Sequence, residues 1–351
     1  MHVAGAGMAG LVAAARLREL GVEPVVLEKG TRAGGSMLLS SCVIWRYRTF
    51  EEFRAECPGG DPDLQRLVVE RFDDALAWLE RLGPPVVWPE TGNPRTVGKR
   101  FDARGLTDSL LRAGGEVRLG TALPEATEPP VILATGGFSV RIARERGLLV
   151  RSNRWSEGDG LEFARVRGAA ATGGLDEFYG RNLPAPPARI DEKGFVELAQ
   201  LYGRFARVEN ESGEPFFRGP VSWSEEDLVQ ATARQPGATA WYVVDEAALQ
   251  ERVRDRTVAD MVEAARAAGG DVLERADGTV AVHVMPGVTH TIGGLRIDTA
   301  ARVPDESGRA LPGLYAAGVD VGGISTGGYA SGLGAALVLG LTAAETAAAE
   351  S

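Results

Sequence analysis

Gly5-Ala6-Gly7-Met8-Ala9-Gly10 is a complete GxGxxG run near the start of the chain. This spacing is suited to holding a pyrophosphate. The first glycine permits a tight turn, the second lets a phosphate approach the backbone, and the third lets helix and strand pack closely. A helix opening at Met8 would offer its unpaired N–H groups and partial positive charge to that phosphate. Glu28, about 18 residues beyond Gly10, ends a second β-rich run over 24–28. An acid at this point accepts hydrogen bonds from a ribose diol and repels a 2′-phosphate. The run therefore predicts FAD or NAD rather than NADP.

Three further glycine-rich stretches separate FAD from NAD. Lys29-Gly30 leads to a second glycine turn at Gly34-Gly35-Ser36. Far downstream, Ala134-Thr135-Gly136-Gly137 and Ala316-Ala317-Gly318-Val319-Asp320 each follow a short apolar run of the buried parallel-strand kind. Strand ends built of small residues let the backbone approach a long ligand. One cofactor touching several distant segments points to FAD.

The elements that must position these residues follow from periodicity. The pattern predicts a strand over 2–6, a helix over 8–20 closed by Gly21, and a helix over 64–82 that stops before Gly83-Pro84-Pro85. A short helix over 106–111, strands at 116–119 and 131–134, and a helix over 161–166 complete the first half. From about Gly174 the chain becomes richer in aromatics and proline, and within this stretch residues 249–268 read as one helix. After Thr279 the β pattern returns, and a small-residue helix over about 332–349 closes the chain. The expected architecture is α/β: a Rossmann-like FAD-binding domain (1–175 and 279–351) with an inserted α+β capping domain (176–278).

Composition narrows the function. With 38 basic against 48 acidic residues the formal charge is −10, which argues against nucleic acid or anionic membrane as partner. No continuous apolar run reaches the length of a membrane span. Two cysteines, Cys42 and Cys57, make no disulfide framework and suit a reducing cytoplasm, and three histidines (His2, His283, His290) have no metal-ligand spacing. No metal is expected. The run Phe178-Tyr179-Gly180-Arg181-Asn182-Leu183-Pro184 combines stacking and anion-binding groups and reads as a loop, either facing the substrate from the cap or lying as a surface turn.

Taken together, these motifs resemble the flavoproteins related to succinate dehydrogenase and fumarate reductase, whose relatives include 3-ketosteroid dehydrogenases and tricarballylate dehydrogenase. GAGMAG, LEKG, ATGGF at 134–138, GDG at 158–160, THTIGG at 289–294 and LPGLYAAGVDVGG at 311–323 stand in that family's order along nearly the whole chain. The resemblance implies bound FAD, a mobile cap and a two-carbon hydrogen transfer beside the flavin. It implies flavin contacts from Asp159, Gly318 and Asp320, the last in place of a usual glutamate. Ser331, Gly332 and Leu333 would open the last helix toward the flavin O2. Members joined covalently to FAD carry a histidine after the Gly34-Gly35 position. None stands here, so a noncovalent flavin is expected. His290 matches the histidine that binds a substrate carboxylate or carbonyl; a core histidine is the alternative. Tyr329 stands where fumarate reductases have a carboxylate-clamping arginine, as in the ketosteroid and tricarballylate relatives. The arginine that acts as proton donor in fumarate reductases would fall near Trp223.

The chemistry then expected is oxidation of a CH–CH unit beside a carbonyl or carboxylate of a small organic acid or ketone. Tyr329 would act as proton donor or base, His290 would hold the polar end of the substrate, and Tyr179 and Arg181 would assist from the cap. An ene-reductase fed by an external donor, or a flavin-carrying electron-transfer or binding subunit, are the alternatives. Only four residues precede Gly5, so no haem domain is expected ahead of it. The electron acceptor should be diffusible: a quinone, oxygen or a redox protein.

Overall fold

The computed structural model describes residues 1–351 and divides into two compact units. The first comprises Met1–Ser139, Asn153–Phe178 and His290–Ser351; the second comprises Val140–Ser152 and Tyr179–Thr289. The return to the first unit thus comes at His290, not at the expected residue 279, and Val140–Ser152 joins the second unit. The reason lies in one long strand, Val280–Thr291, whose first ten residues belong to the second unit and whose last two, His290 and Thr291, belong to the first.

The first unit is built on a six-stranded sheet. Its strands lie in the order Arg302–Pro304, Ala310–Ala316, Val131–Leu133, His2–Ala4, Val25–Glu28, Val117–Leu119. All neighbours are parallel except the antiparallel edge strand Arg302–Pro304. His2 pairs with Val25 on one side and Val131 on the other, so the two glycine-rich strand ends emerge side by side. The helix Met8–Glu19 is buried almost all round because it packs against both Ala103–Gly114 and Gly332–Ala349. Its small residues make that possible. A β-carbon on Gly340 would stand 2.7 Å from the Ala9 carbonyl.

The helix Gly332–Ala349 is also the one helix long and apolar enough to cross a membrane. Two-thirds of it is buried within the protein, as a central core helix would be. Pro62–Arg81 begins at Asp61, whose carboxylate accepts from the Asp63 and Leu64 amides, with Pro62 in the first turn. Ala103–Gly114 is twice as long as the expected 106–111, because Asp102 caps it three residues earlier. A small antiparallel sheet of Val43–Tyr47, Thr96–Phe101 and Val86–Trp88 completes the unit.

The second unit carries an antiparallel sheet in the order Arg207–Glu209, Ala240–Val244, Val280–Thr291, Val272–Glu274. Leu149–Val150 and Phe178–Pro184 also pair with the long strand. Tyr202, Leu228, Tyr242, Met261, Val282 and Val284 form its core. Two expectations fail here. The single helix over 249–268 is a short helix Glu246–Leu249, a tight hairpin of Arg252–Val253 with Arg256–Thr257, and a helix Val258–Ala267. Thr257 and Asp260 form a capping box, so a new helix starts where helical periodicity alone reads as continuous. Phe178–Pro184 is a strand buried along its whole length, not a loop.

Candidate functional site

The strand His2–Ala4 feeds the first glycine turn, and the helix Met8–Glu19 leaves it. Gly5 sits at φ +100°, in the left-handed region that glycine favours, and donates to the Leu27 carbonyl at 2.7 Å. A β-carbon on Gly5 would collide with the Ala134 carbonyl, and one on Gly10 with the Gly5 carbonyl. On Gly7, at φ −82°, a β-carbon would meet nothing within 4 Å. Two of the three glycines therefore serve the protein's own packing. Gly7 is demanded by neither backbone conformation nor neighbours, and its bare backbone suits a pyrophosphate. No side-chain cap and no acidic residue stands at that helix start, so Met8, Ala9 and Gly10 present their N–H groups toward an anion.

Glu28 is buried at the end of its strand. Its two carboxylate oxygens accept from the Ala6 amide at 2.8 Å and the Gly30 amide at 2.7 Å. Each oxygen keeps a lone pair for a ribose hydroxyl. Lys29 turns the other way, to Glu157 at 2.7 Å and Asp159 at 3.1 Å. Those pairings outweigh partial burial and raise its ammonium above the ordinary value.

The second glycine turn packs on the first. Gly34 donates to the Ala6 carbonyl at 2.7 Å, a β-carbon on Gly35 would stand 3.1 Å from Gly7 Cα, and the Ser36 hydroxyl accepts from the Asn153 amide at 3.1 Å. At the third strand end, the Ala134 amide donates to the Ala4 carbonyl at 2.8 Å. Thr135 and Gly137 converge on Asp320. Its fully buried carboxylate takes the Thr135 amide, the Thr135 hydroxyl at 2.9 Å and the Gly137 amide at 3.0 Å. Burial nonetheless pushes its carboxyl above the usual range. Gly136 lies between them at φ +92°, and Gly318, at φ +68°, lets the Asp320 turn close against Ala9. Asp320 thus ties two glycine-rich strand ends together through its own carboxylate.

Residues expected near the substrate gather at the start of the last helix. Ser331 caps it by accepting from the Gly334 amide at 3.0 Å, leaving the Gly332 and Leu333 amides in the unpaired first turn. His290 faces the same end: a β-carbon on Gly332 would lie 3.4 Å from its Cε1. Tyr329 is half-buried just before the cap. Its carbonyl accepts from the Tyr47 hydroxyl at 2.5 Å and its ring meets Trp45 edge-on at 5.4 Å. The Trp45 amide reaches the Ser331 hydroxyl at 3.4 Å. Trp45 and Tyr47 were absent from the residues singled out by motif. The β-rich aromatic run Val43-Ile44-Trp45-Arg46-Tyr47 was their only signal. Burial pushes the thiols of Cys42 and Cys57 up to about 12, so neither is a thiolate at neutral pH.

Tyr179 and Arg181 lie in the second unit. The Arg181 guanidinium donates to the Ser224 carbonyl and lies 5.1 Å over the Tyr179 ring. Asn182 donates to Thr232 at 3.1 Å and to the Tyr242 hydroxyl at 2.7 Å. The Arg181 guanidinium and the Asn182 amide nitrogen thus find partners inside the unit, which helps a Tyr-Gly-Arg-Asn run to be buried. Glu225 and Glu226 complete the cluster. Burial raises them to about 7 and about 8, against the opposing pull of Arg181 and of the Gly203 and Gly180 amides. Trp223 precedes them in the turn leading to the helix Glu226–Ala233. Tyr202 is wholly buried in the core. His283 stacks on Trp241 at 4.5 Å and meets Glu211 at 2.8 Å, a structural arrangement.

The model of the FAD binding domain family matches residues 2–115 and 125–336, nearly the whole chain. The protein belongs to that family. It is an FAD-dependent oxidoreductase. Among curated proteins it is similar to a probable fumarate reductase of Shewanella frigidimarina (strain NCIMB 400), 24% identical over 92% of this chain and 70% of that one. It is also similar to the fumarate reductase (cytochrome) of Shewanella frigidimarina, at 22% over 92% and 72%. In fold it matches the open conformation of a flavocytochrome c3 fumarate reductase (TM-score 0.72, 22% identity, 99% of this chain and 78% of that one). It also matches the 3-ketosteroid delta1-dehydrogenase of Sterolibacterium denitrificans (TM-score 0.73, 16% identity, 100% and 99%). The fold expected from the motifs is the fold found. FAD is the group that the glycine turns, Glu28 and the start of the last helix fit.

Proposed function

We propose that this protein oxidises a CH–CH unit beside the carbonyl or carboxylate of a small organic acid or ketone, with noncovalently held FAD. Bound FAD supplies the hydride acceptor, so the chain's own task is to orient the substrate and handle one proton. Tyr329 is assigned to that proton: it sits half-buried, with its backbone fixed by Tyr47 and its ring braced by Trp45. His290 is assigned to the substrate's polar oxygen. Its imidazole stands at the start of the last helix, where the Gly332 and Leu333 amides add donors to any negative charge that develops. The observation that carries the reading is this meeting of His290 and the Tyr329–Gly332 segment at one helix end. Arg181 is assigned a supporting part, countering the charge of Glu225 and Glu226 beside Tyr179. The two free, buried thiols suit a reducing compartment such as the cytoplasm, and a quinone, oxygen or a redox protein would take the electrons.

Anaerobic titration of the yellow protein with small carboxylic acids and ketones tests the direction, since a true substrate bleaches the flavin. The names of the curated relatives favour the reverse reaction, reduction of an enoate. That reading takes over if no compound bleaches the flavin and an enoate reoxidises the chemically reduced protein. Tyr329→Phe tests the site: FAD is retained and turnover falls roughly 100-fold or more, the scale of a lost acid or base. Unchanged turnover removes the assignment.

A further inference from the structure

Trp155 is one of the few large apolar side chains left exposed, at 36%. It lies on the segment 153–159, which is tied to the cofactor-binding turns along its length. The Asn153 amide donates to the Ser36 hydroxyl at 3.1 Å, the Ser156 hydroxyl lies 3.2 Å from where a Gly136 side chain would start, and Glu157 and Asp159 grip Lys29. The indole itself stands against Gly30. A β-carbon there would be 2.7 Å from Trp155 Cδ1 and 2.9 Å from a carboxylate oxygen of Glu28. Gly30 has no left-handed backbone that would demand glycine, so its missing side chain is explained by the indole and the carboxylate that flank the same point.

An adenine is bonded to the ribose carbon next to the one bearing the 2′-hydroxyl. A flat, half-exposed aromatic ring beside the acid that takes the ribose diol is therefore placed to cover the base. We propose that Trp155 is the adenine-stacking residue of the FAD site, held over the base by the 153–159 segment. The proposal rests on the reading of Glu28 as the ribose acid. Aromatic stacking on a base is sequence-tolerant and strong enough to matter for affinity, about 5- to 100-fold in a dissociation constant.

Binding measured on the full chain freed of flavin, with FAD, ADP and inorganic pyrophosphate as probes, tests it. Trp155→Ala weakens FAD and ADP by the same factor, roughly 5- to 100-fold, and leaves pyrophosphate, which has no base, within about twofold. Trp155→Phe restores most of the loss. Tryptophan emission gives a second readout: FAD quenches the part of the signal that Trp155→Phe removes. Unchanged FAD affinity in Trp155→Ala overturns the proposal, and so does an equal loss for all three probes, which would mean collapse of the segment. Glu28→Gln separates the two assignments. If it leaves ADP binding intact while Trp155→Ala still weakens it, the ribose role falls and the stacking stands.

Discussion

The two units use polar groups in opposite ways. In the first, the proposed cofactor site is made of backbone: amides at two helix starts, carbonyls packed against glycines, and buried acids (Glu28 and Asp320) that accept mainly from main-chain N–H groups. In the second, the polar interior is made of side chains. Arg181, Asn182, Glu225, Glu226, Gln230 and Thr232 sit in or beside a core of Tyr202, Tyr242 and Leu228. Where glycines pack against carbonyls, as at Gly5 and Gly10, the backbone tolerates almost no added volume. Side-chain clusters accept isosteric changes but carry a charge state that depends on pH.

The sharpest way to break that contrast is to add one methyl group in two places. Gly10→Ala forces a β-carbon into the Gly5 carbonyl, so the protein is expected to lose most soluble folded material and all flavin. Gly7→Ala meets no protein atom, so its melting temperature without flavin stays within about 2 °C of the parent, the scale of a neutral surface change. FAD affinity is nevertheless expected to fall more than about tenfold, because the methyl group would occupy the open space proposed for the phosphate. Equal behaviour of the two variants would show that Gly7 is structural too.

Tyr47→Phe probes a place where the first unit uses a side chain to fix the backbone of Tyr329, the residue proposed to handle the proton. Losing a hydrogen bond to the Tyr329 carbonyl costs about 1 kcal/mol. The expected result is a roughly fivefold lower kcat with KM nearly unchanged and FAD retained. The effect should vanish in a Tyr329→Phe background. An additive loss there would show that Tyr47 acts on something other than Tyr329.

The smallest effect belongs to the second unit. Glu225 and Glu226 are raised in the folded protein by burial, while Arg181, Arg204 and the Gly180 and Gly203 amides favour their ionised forms and Asp227 opposes them. Because their folded values lie above the unfolded ones, the folded state holds more protons between about pH 4.5 and 8. Stability from this pair is therefore complete at low pH and drains away as pH rises through about 7 to 8. Glu226→Gln should shrink that decline in melting temperature between pH 5 and 8.5, measured as a few degrees. An identical pH profile would mean that the cluster ionises freely.

Most of the proposed cofactor site could be read along the chain because each of its parts is short and local. GAGMAG, LEKG and ATGG each specify a turn between two adjacent elements, and a glycine is chosen by atoms only a few residues away or on the next strand. The last helix was equally readable, since small residues and a serine cap mark its start. The second unit was not. A Tyr-Gly-Arg-Asn run looks like a loop when its partners are unknown, and becomes a buried strand once Ser224, Thr232 and Tyr242 supply them.

Local order in the chain was enough for the nucleotide unit, the choice of FAD and the family, because phosphate binding depends on backbone shape that a few glycines dictate. Three things waited for the tertiary structure: the place where the long strand Val280–Thr291 passes from one unit to the other, the bracing of Tyr329 by Trp45 and Tyr47, and the position of Trp155 beside Glu28. Each depends on contacts between residues more than a hundred positions apart, or on the close of a strap over a strand end. No local periodicity encodes such contacts, because side-chain type constrains what a residue can touch but not which distant segment comes to meet it.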